Sequence, residues 1–160
     1  MENNKGFALP EKIQEYGIDI LPEDLKYHNK RVLVSKEFTF DAAHHLHDYE
    51  GKCGNLHGHT YKVVFGISGF LGKTGITIDF GEIKAIWKEK IEPYLDHQYL
   101  NQSLPKMNPT AENLVVWIYE KMDWALEDNE LKARVEFVRL FETPTSYAEL
   151  RREWFEQESI

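Results

Sequence analysis

The feature that most constrains this chain is a short segment, HHLHDYEGKCGNLHGH, which spans residues 44–59. It contains five of the chain's seven histidines and its one cysteine. His57 and His59 are two residues apart, so in an extended segment their side chains project from the same face. Two imidazoles on one face form a natural grip for a divalent metal ion. The segment therefore predicts a strand that carries part of a metal site.

The residue pattern alone leaves several candidates for the remaining metal ligands. A catalytic zinc ion usually has three protein ligands and one open position. His44, His45 and His47 are the candidates for the third ligand, because a predicted strand runs towards them from Val32. Cys53 could close the site as a fourth ligand, which would make the site structural, or it could remain a free reactive thiol.

Length and composition predict a single globular domain. The chain has 160 residues, with 42% hydrophobic and 29% charged side chains, which is typical of a globular protein. We expect an extension over residues 1–29 followed by one domain over residues 30–160. No apolar run approaches the roughly 20 residues of a membrane span, and the opening MENNKGF lacks a signal-peptide core. These features, with the single cysteine, predict a cytoplasmic protein and no membrane partner.

The net charge of -8 restricts the partners further. A general nucleic-acid binder neutralises phosphates with clustered Lys and Arg, so an acidic chain argues against that class. A small anionic ligand requires only a local cationic pocket and stays compatible with this charge.

The hydrophobic pattern predicts an α+β fold. The predicted elements are, in order, strands over 31–40, 60–69 and 76–78, a helix that begins after Asp79 and ends near 93–95, a helix that begins after Thr110, and a strand over 134–142. Asp79 and Glu82 have the spacing of a capping box. The period of residues 146–152 is ambiguous, and we expect the tail over 154–160 to be helical or frayed. With the short strand 76–78 taken as a hairpin-like return, we summarise the order as β-β-α-α-β-β, which indicates an antiparallel sheet with both helices on one face.

Five short motifs occur along the chain in a distinctive order. They are FDAAH at 40–44, CGNLHGH at 53–59, LDH at 95–97, PTAEN at 109–113 and FET at 141–143. Together they resemble the 6-pyruvoyl-tetrahydropterin synthase family, and within it the branch that forms 6-carboxytetrahydropterin. The resemblance covers residues 30–150 and implies a tunnelling fold (T-fold). In that fold subunits join their antiparallel sheets into a barrel, as a homo-oligomer built from trimers and extending to hexamers, with active sites at subunit interfaces.

The resemblance also implies roles for nine residues. They are His44, His57 and His59 as zinc ligands, Cys53 as the catalytic thiol, His97 with Asp96 as a charge relay, Glu142 as the pterin anchor, and Thr110 and Glu112 as neighbours of the substrate. By this comparison His45 and His47 are not ligands.

The implied activity is that of a zinc-dependent lyase. It converts 7,8-dihydroneopterin triphosphate to 6-carboxy-5,6,7,8-tetrahydropterin, acetaldehyde and triphosphate, an early step towards queuosine and related 7-deazapurines. The residue types suit this chemistry, because zinc makes bound hydroxyls more acidic and a thiol near a metal can act as a base. Two alternatives remain open: an enzyme that forms 6-pyruvoyltetrahydropterin, and a non-enzymatic domain in which Cys53 completes a structural zinc site.

Overall fold

The computed structural model describes residues 10–157, and its main feature is a five-stranded sheet. The strands are β1 (Arg31–His44), β2 (His57–Phe70), β3 (Gln98–Tyr99), β4 (Ala133–Thr143) and β5 (Ser146–Arg151). Their order across the sheet is β3-β1-β2-β4-β5, and all neighbours are antiparallel except β3, which runs parallel to β1. The expectation of a wholly antiparallel sheet was therefore wrong at this edge.

The two long strands β1 and β2 form the centre of the fold. Both are longer than predicted, because β1 continues to His44 and β2 begins at His57. These two residues are directly opposite each other in the register. Side chains alternate along a strand, so His44 lies on the same face of β1 as the buried Phe40 and Ala42. The histidine pair thus continues the core face of the sheet at its end.

The first helical stretch consists of three consecutive pieces: α1 (Phe80–Ile86), a π-helical turn (Trp87–Ile91) and α2 (Glu92–Leu95). The predicted capping box is confirmed, since Asp79 Oδ1 accepts from the Gly81 N–H at 2.6 Å and Glu82 Oε2 accepts from the Asp79 N–H at 3.4 Å. Pro93 lacks an N–H and its ring would collide with the carbonyl of the preceding turn. We attribute the wider π turn directly before it to this proline.

The second long helix, α4 (Ala111–Asp128), begins after Thr110 as predicted. Two further short helices are α3 (Leu100–Ser103) and α5 (Arg152–Phe155). The helices and one face of the sheet share a single core, whose members include Phe40, Tyr61, Val63, Phe65, Ile83, Trp87, Ile91, Leu114, Ile118, Met122, Val138 and Leu140. The prediction that the long helical elements cover one face of the sheet is confirmed.

Three local expectations had different outcomes. The predicted strand over 76–78 was wrong, because these residues form bends before Asp79 rather than part of the sheet. Residues 146–152, whose period was ambiguous, form β5 and the start of α5. Part of the tail over 154–160 is therefore helical, and residues 158–160 lie outside the described range.

Residues 10–29, which belong to the expected N-terminal extension, are largely exposed. In the stretch 10–29 every residue is exposed except the half-buried Ile20. A short 3-10 turn, Pro22–Asp24, is its one helical element within that stretch. The expected extension also includes residues 1–9, which lie outside the described range. Within residues 10–157 no helix is long and apolar enough to cross a membrane.

Candidate active site with a metal-binding cluster

Four side chains meet at the end of the core face of the sheet. They are His44 from β1, His57 and His59 from β2, and Glu142 from β4, and one potential ligand atom from each lies within 4.8 Å of all the others. The sheet register explains the three histidines, because His44 is opposite His57 and His59 is the next residue of β2 on the same face. The pairing of β1 with β2 therefore brings the three histidines together.

Glu142 reaches the cluster at an irregularity of the sheet. Phe141 pairs with Tyr147 and Thr143 pairs with Ser146, so Glu142 is the extra residue of a β-bulge. Bulges occur beside functional sites because they redirect a side chain locally. The alternation of β4 also places Glu142 on the face of the buried Leu140. An acidic residue at the end of an apolar strand face is thus brought to the histidines.

Main-chain carbonyls fix the tautomers of two of the imidazoles. The Nδ1 atoms of His44 and His57 lie 2.8 Å from the Pro109 carbonyl oxygen and 2.7 Å from the Asn55 carbonyl oxygen. A carbonyl oxygen only accepts, so each Nδ1 carries a proton, and the neutral form of each ring presents a lone pair at Nε2. The two Nε2 atoms are 3.1 Å apart. Two lone pairs at this distance favour a shared cation. Hydrogen bonds from Nδ1 to a main-chain carbonyl, like these two, are typical of histidine ligands.

The third imidazole also offers a free nitrogen. Glu142 Oε1 lies 3.2 Å from His59 Nε2, but the contact is not aligned as a hydrogen bond, and within residues 10–157 this buried nitrogen has no hydrogen-bond partner. Burial lowers the pKa of both His44 and His59, which favours the neutral, metal-binding form. Three imidazole nitrogens and a carboxylate oxygen therefore fit a divalent metal ion.

Tyr61 lies behind the cluster. Its hydroxyl oxygen is 3.4 Å from each ring nitrogen of His44, and its ring stacks on Phe40 with centroids 4.8 Å apart. Burial raises the pKa of Tyr61 far above that of a free phenol, so its hydroxyl stays protonated. Tyr61 is therefore a neutral wall of the site.

A second charged pair lies at the edge of the sheet. His97 Nδ1 is 2.9 Å from Asp96 Oδ2, while Asp96 Oδ1 accepts from the Asp41 N–H at 3.0 Å. The His97 N–H donates to the Asp41 carbonyl at 2.6 Å, and His97 has a positive φ of 56°. The Asp41 N–H, followed by the His97 contact, lowers the pKa of Asp96, and the Asp96 carboxylate raises the pKa of His97. The carboxylate therefore orients the imidazole and stabilises its protonated form.

His59 lines two surface cavities. One has a volume of about 600 Å³ and is lined by His59, Thr60, His97 and Tyr99 among others. The other has a volume of about 500 Å³ and is lined by His59 together with Glu142. His59 is therefore the member of the metal cluster that lines both cavities, one of them together with His97 and the other together with Glu142.

The other predicted site residues have separate positions. Cys53 is half-buried in a 3-10 turn, Lys52–Gly54, and does not belong to the four-residue cluster, whose fourth member is Glu142. Thr110 Oγ1 accepts from the Asn113 N–H at 3.2 Å and so caps α4. Glu112 is exposed in the first turn of α4. The roles expected of these residues stay predictions.

Sequence reasoning missed the groups that hold the ligands in place. The carbonyls of Pro109 and Asn55 carry no side-chain signal and become visible only in three dimensions. The contact of Glu142 with His59 did have a signal. The alternation of β4 places Glu142 on the face of Val138 and Leu140, where an unpartnered acid is unfavourable.

Comparisons with known proteins agree with this geometry. The family described as 6-pyruvoyl tetrahydropterin synthase matches residues 33–153. A Haemophilus influenzae protein named 6-carboxy-5,6,7,8-tetrahydropterin synthase is 37% identical over 140 residues, covering 72% of this chain and 96% of the relative. A Synechocystis protein of the same name is 41% identical over 98 residues, covering 58% of this chain and 76% of the relative. The solved structure of Caenorhabditis elegans 6-pyruvoyl tetrahydropterin synthase covers 79% of this chain and 99% of its own, with 22% identity and a TM-score of 0.69, which shows the same fold.

Proposed function

This chain belongs to the 6-pyruvoyl tetrahydropterin synthase family, and we propose that it forms 6-carboxy-5,6,7,8-tetrahydropterin, acetaldehyde and triphosphate from 7,8-dihydroneopterin triphosphate. The product would supply the synthesis of queuosine and related 7-deazapurines. The observation that carries the proposal is the convergence of three imidazole nitrogens, two of them fixed by carbonyls, in a chain whose relatives have this name.

The metal in this proposal is zinc, held by His44, His57 and His59. A zinc ion bound there would act as a Lewis acid on the hydroxyl-bearing side chain of the substrate. Three neutral nitrogen donors with an open fourth position are typical of catalytic zinc sites. The lowered pKa values of His44 and His59 support this assignment, because only the neutral imidazole binds a metal.

The remaining roles belong to side chains around the cluster. Cys53 acts as the base that removes a proton from the substrate, and His97, oriented by Asp96, transfers the second proton. Glu142 accepts hydrogen bonds from the pterin N–H and amino groups. Its position beside both His59 and a cavity of about 500 Å³ supports that role. Thr110 and Glu112 lie near the substrate in this proposal.

We propose in addition that the active form is a homo-oligomer whose sheets join into a barrel. The ring of His97 is 79% exposed in the single chain, although proton transfer benefits from a site closed to water. A second subunit would supply that closure. Activity that persists in a species shown to be monomeric by analytical ultracentrifugation would contradict this assembly.

The product assay is the direct test of the proposed reaction. Purified zinc-loaded protein is incubated with 7,8-dihydroneopterin triphosphate, and the pterin product and acetaldehyde are quantified. We expect 6-carboxytetrahydropterin and acetaldehyde in equal amounts. 6-Pyruvoyltetrahydropterin without acetaldehyde would identify the alternative enzyme of the family, and no turnover would favour a non-enzymatic zinc domain.

A further inference from the structure

Two asparagine side chains bind the main chain that follows β1. Asn101 Oδ1 accepts from the His45 N–H at 3.0 Å, and its Nδ2 donates to the His45 carbonyl at 2.9 Å. Asn108 Oδ1 accepts from the His47 N–H at 2.9 Å, and its Nδ2 donates to the His47 carbonyl at 3.1 Å. Each side-chain amide thus makes the pair of bonds that a neighbouring strand would make. We call these two contacts the amide clamps.

The amide clamps act on the loop that carries the thiol. Leu46 lies between the two clamped residues, and its N–H donates to the Cys53 carbonyl at 2.9 Å. The main-chain N–H and carbonyl groups of His45 and His47 therefore bind the asparagines, while the N–H of Leu46 binds the carbonyl of Cys53. Through Leu46, the clamps hold the main chain of Cys53.

The asparagines come from the segment that also contacts the metal cluster and bears the relay histidine. Asn101 follows His97 by four residues, and Asn108 directly precedes Pro109, whose carbonyl oxygen accepts from His44 Nδ1. The segment is tied down independently, since Asn113 Nδ2 donates to the Asn108 carbonyl at 2.9 Å. One stretch of chain, residues 97–109, therefore sets the relative positions of a metal ligand, the relay histidine and the thiol loop.

We propose that Asn101 and Asn108 are positioning residues, which hold the Cys53 loop in register with the metal ligands and with His97. The consequence for turnover rests on the proposed function, whereas the hold on the loop does not. A side-chain hydrogen bond makes a modest net contribution to stability. A displacement of a reacting group by about 1 Å can cost about 100-fold in rate. Removing a clamp should therefore affect kcat far more than folding.

The test uses the zinc-loaded, full-length protein with Asn101→Ala and Asn108→Ala. Asn129→Ala is the matched control, because Asn129 lies exposed at the far end of α4. Hydrogen–deuterium exchange reports on the peptide that contains His45 and His47. Iodoacetamide reports on Cys53, which is the one cysteine of the chain. Zinc content, kcat and KM complete the set.

We expect both alanine variants to keep their zinc and to exchange the His45–His47 amides faster than the control. Cys53 should be alkylated several-fold faster, and kcat should fall about 10- to 100-fold with little change in KM. Asn101→Asp and Asn108→Asp keep the accepting oxygen and lose the donor, so they should give intermediate values. They also serve if an alanine variant fails to fold.

Unchanged exchange and alkylation rates in the variants would overturn the proposal. A loss of turnover that comes from a change in KM alone would also overturn the proposal, because the asparagines would then act on substrate binding. A loss of turnover that comes from loss of zinc would overturn it too, because the asparagines would then act on the metal site. A wild-type protein without turnover would reject the proposed function, while the exchange and alkylation rates would still decide the role of the amide clamps.

Discussion

His44 Nε2 and His57 Nε2 lie 3.1 Å apart, and in both rings the opposite nitrogen is held by a main-chain carbonyl. Two neutral imidazoles in this arrangement cannot hydrogen-bond to each other, because both Nε2 atoms carry lone pairs. The pair is therefore preorganised for a cation. Several consequences can be measured.

Removal of a histidine of the cluster should strongly weaken metal binding. We expect His57→Ala to weaken zinc binding by more than the roughly 10- to 100-fold that loss of an outer contact costs, because a direct ligand is lost. His47→Ala is the matched control, since His47 is exposed and lies outside the cluster. Metal content after dialysis, measured by mass spectrometry, checks this. Equal zinc retention in both variants would show that the cluster is not the metal site.

Cys53→Ala should separate catalysis from metal binding. Cys53 does not belong to the four-residue cluster, so we expect its zinc content to match that of the wild type. Turnover should fall roughly 10²- to 10⁴-fold, the usual contribution of a general base. Zinc content and kcat are measured on the same preparation. Loss of zinc together with unfolding would support the structural site in which the thiol is a ligand.

Glu142→Gln distinguishes a substrate anchor from a metal ligand. As an anchor, Glu142 accepts hydrogen bonds from the pterin, and loss of its charge should cost about 1.5–3 kcal/mol, or roughly 10- to 100-fold in kcat/KM. Zinc affinity should be nearly unchanged, because three histidines remain. Competition with a chelator measures the zinc affinity. A large drop in that affinity would instead make Glu142 a fourth ligand.

The Asp96–His97 pair predicts a shifted titration. The Asp96 carboxylate raises the pKa of His97 above its ordinary value of 6.5, so the imidazole stays protonated to a higher pH than a free histidine. In Asp96→Asn this stabilisation of the charged form is lost, and the pKa should return towards the ordinary value. NMR titration of the His97 ring protons measures both midpoints. Identical midpoints would mean that the pair does not form in solution.

A close contact in the sheet predicts a packing defect. A side chain at Gly66 would collide with the ring of Phe137, which lies across it on β4. We expect Gly66→Ala to reduce the free energy of unfolding by about 1–3 kcal/mol, as other overpacked sites do. Gly72→Ala is the control, because its added methyl group would meet only ordinary contacts. In the double variant Gly66→Ala/Phe137→Ala the penalty for Gly66→Ala should largely disappear, and additive losses would contradict the collision.

Much of the fold could be predicted from local patterns. Asp79 and Thr110 were identified as helix caps because capping depends on side chains within one turn. The strand over 76–78 was wrong because a run of three residues, Ile76 to Ile78, carries too little periodic signal. The short strand β3 was missed for a related reason, since its two residues pair with β1 only through the tertiary fold.

The sequence by itself determined that His57 and His59 share a strand face, because the period of an extended chain is two residues. It also placed Cys53 in the same segment of the chain. The family motifs favoured His44 over His45 and His47 as the third metal ligand. Only the tertiary structure decided that His44 lies opposite His57, that Glu142 lies 3.2 Å from His59, and that carbonyls of Pro109 and Asn55 orient the rings. These contacts join residues up to 83 positions apart, from His59 to Glu142, and depend on strand register and loop path, which local sequence does not encode.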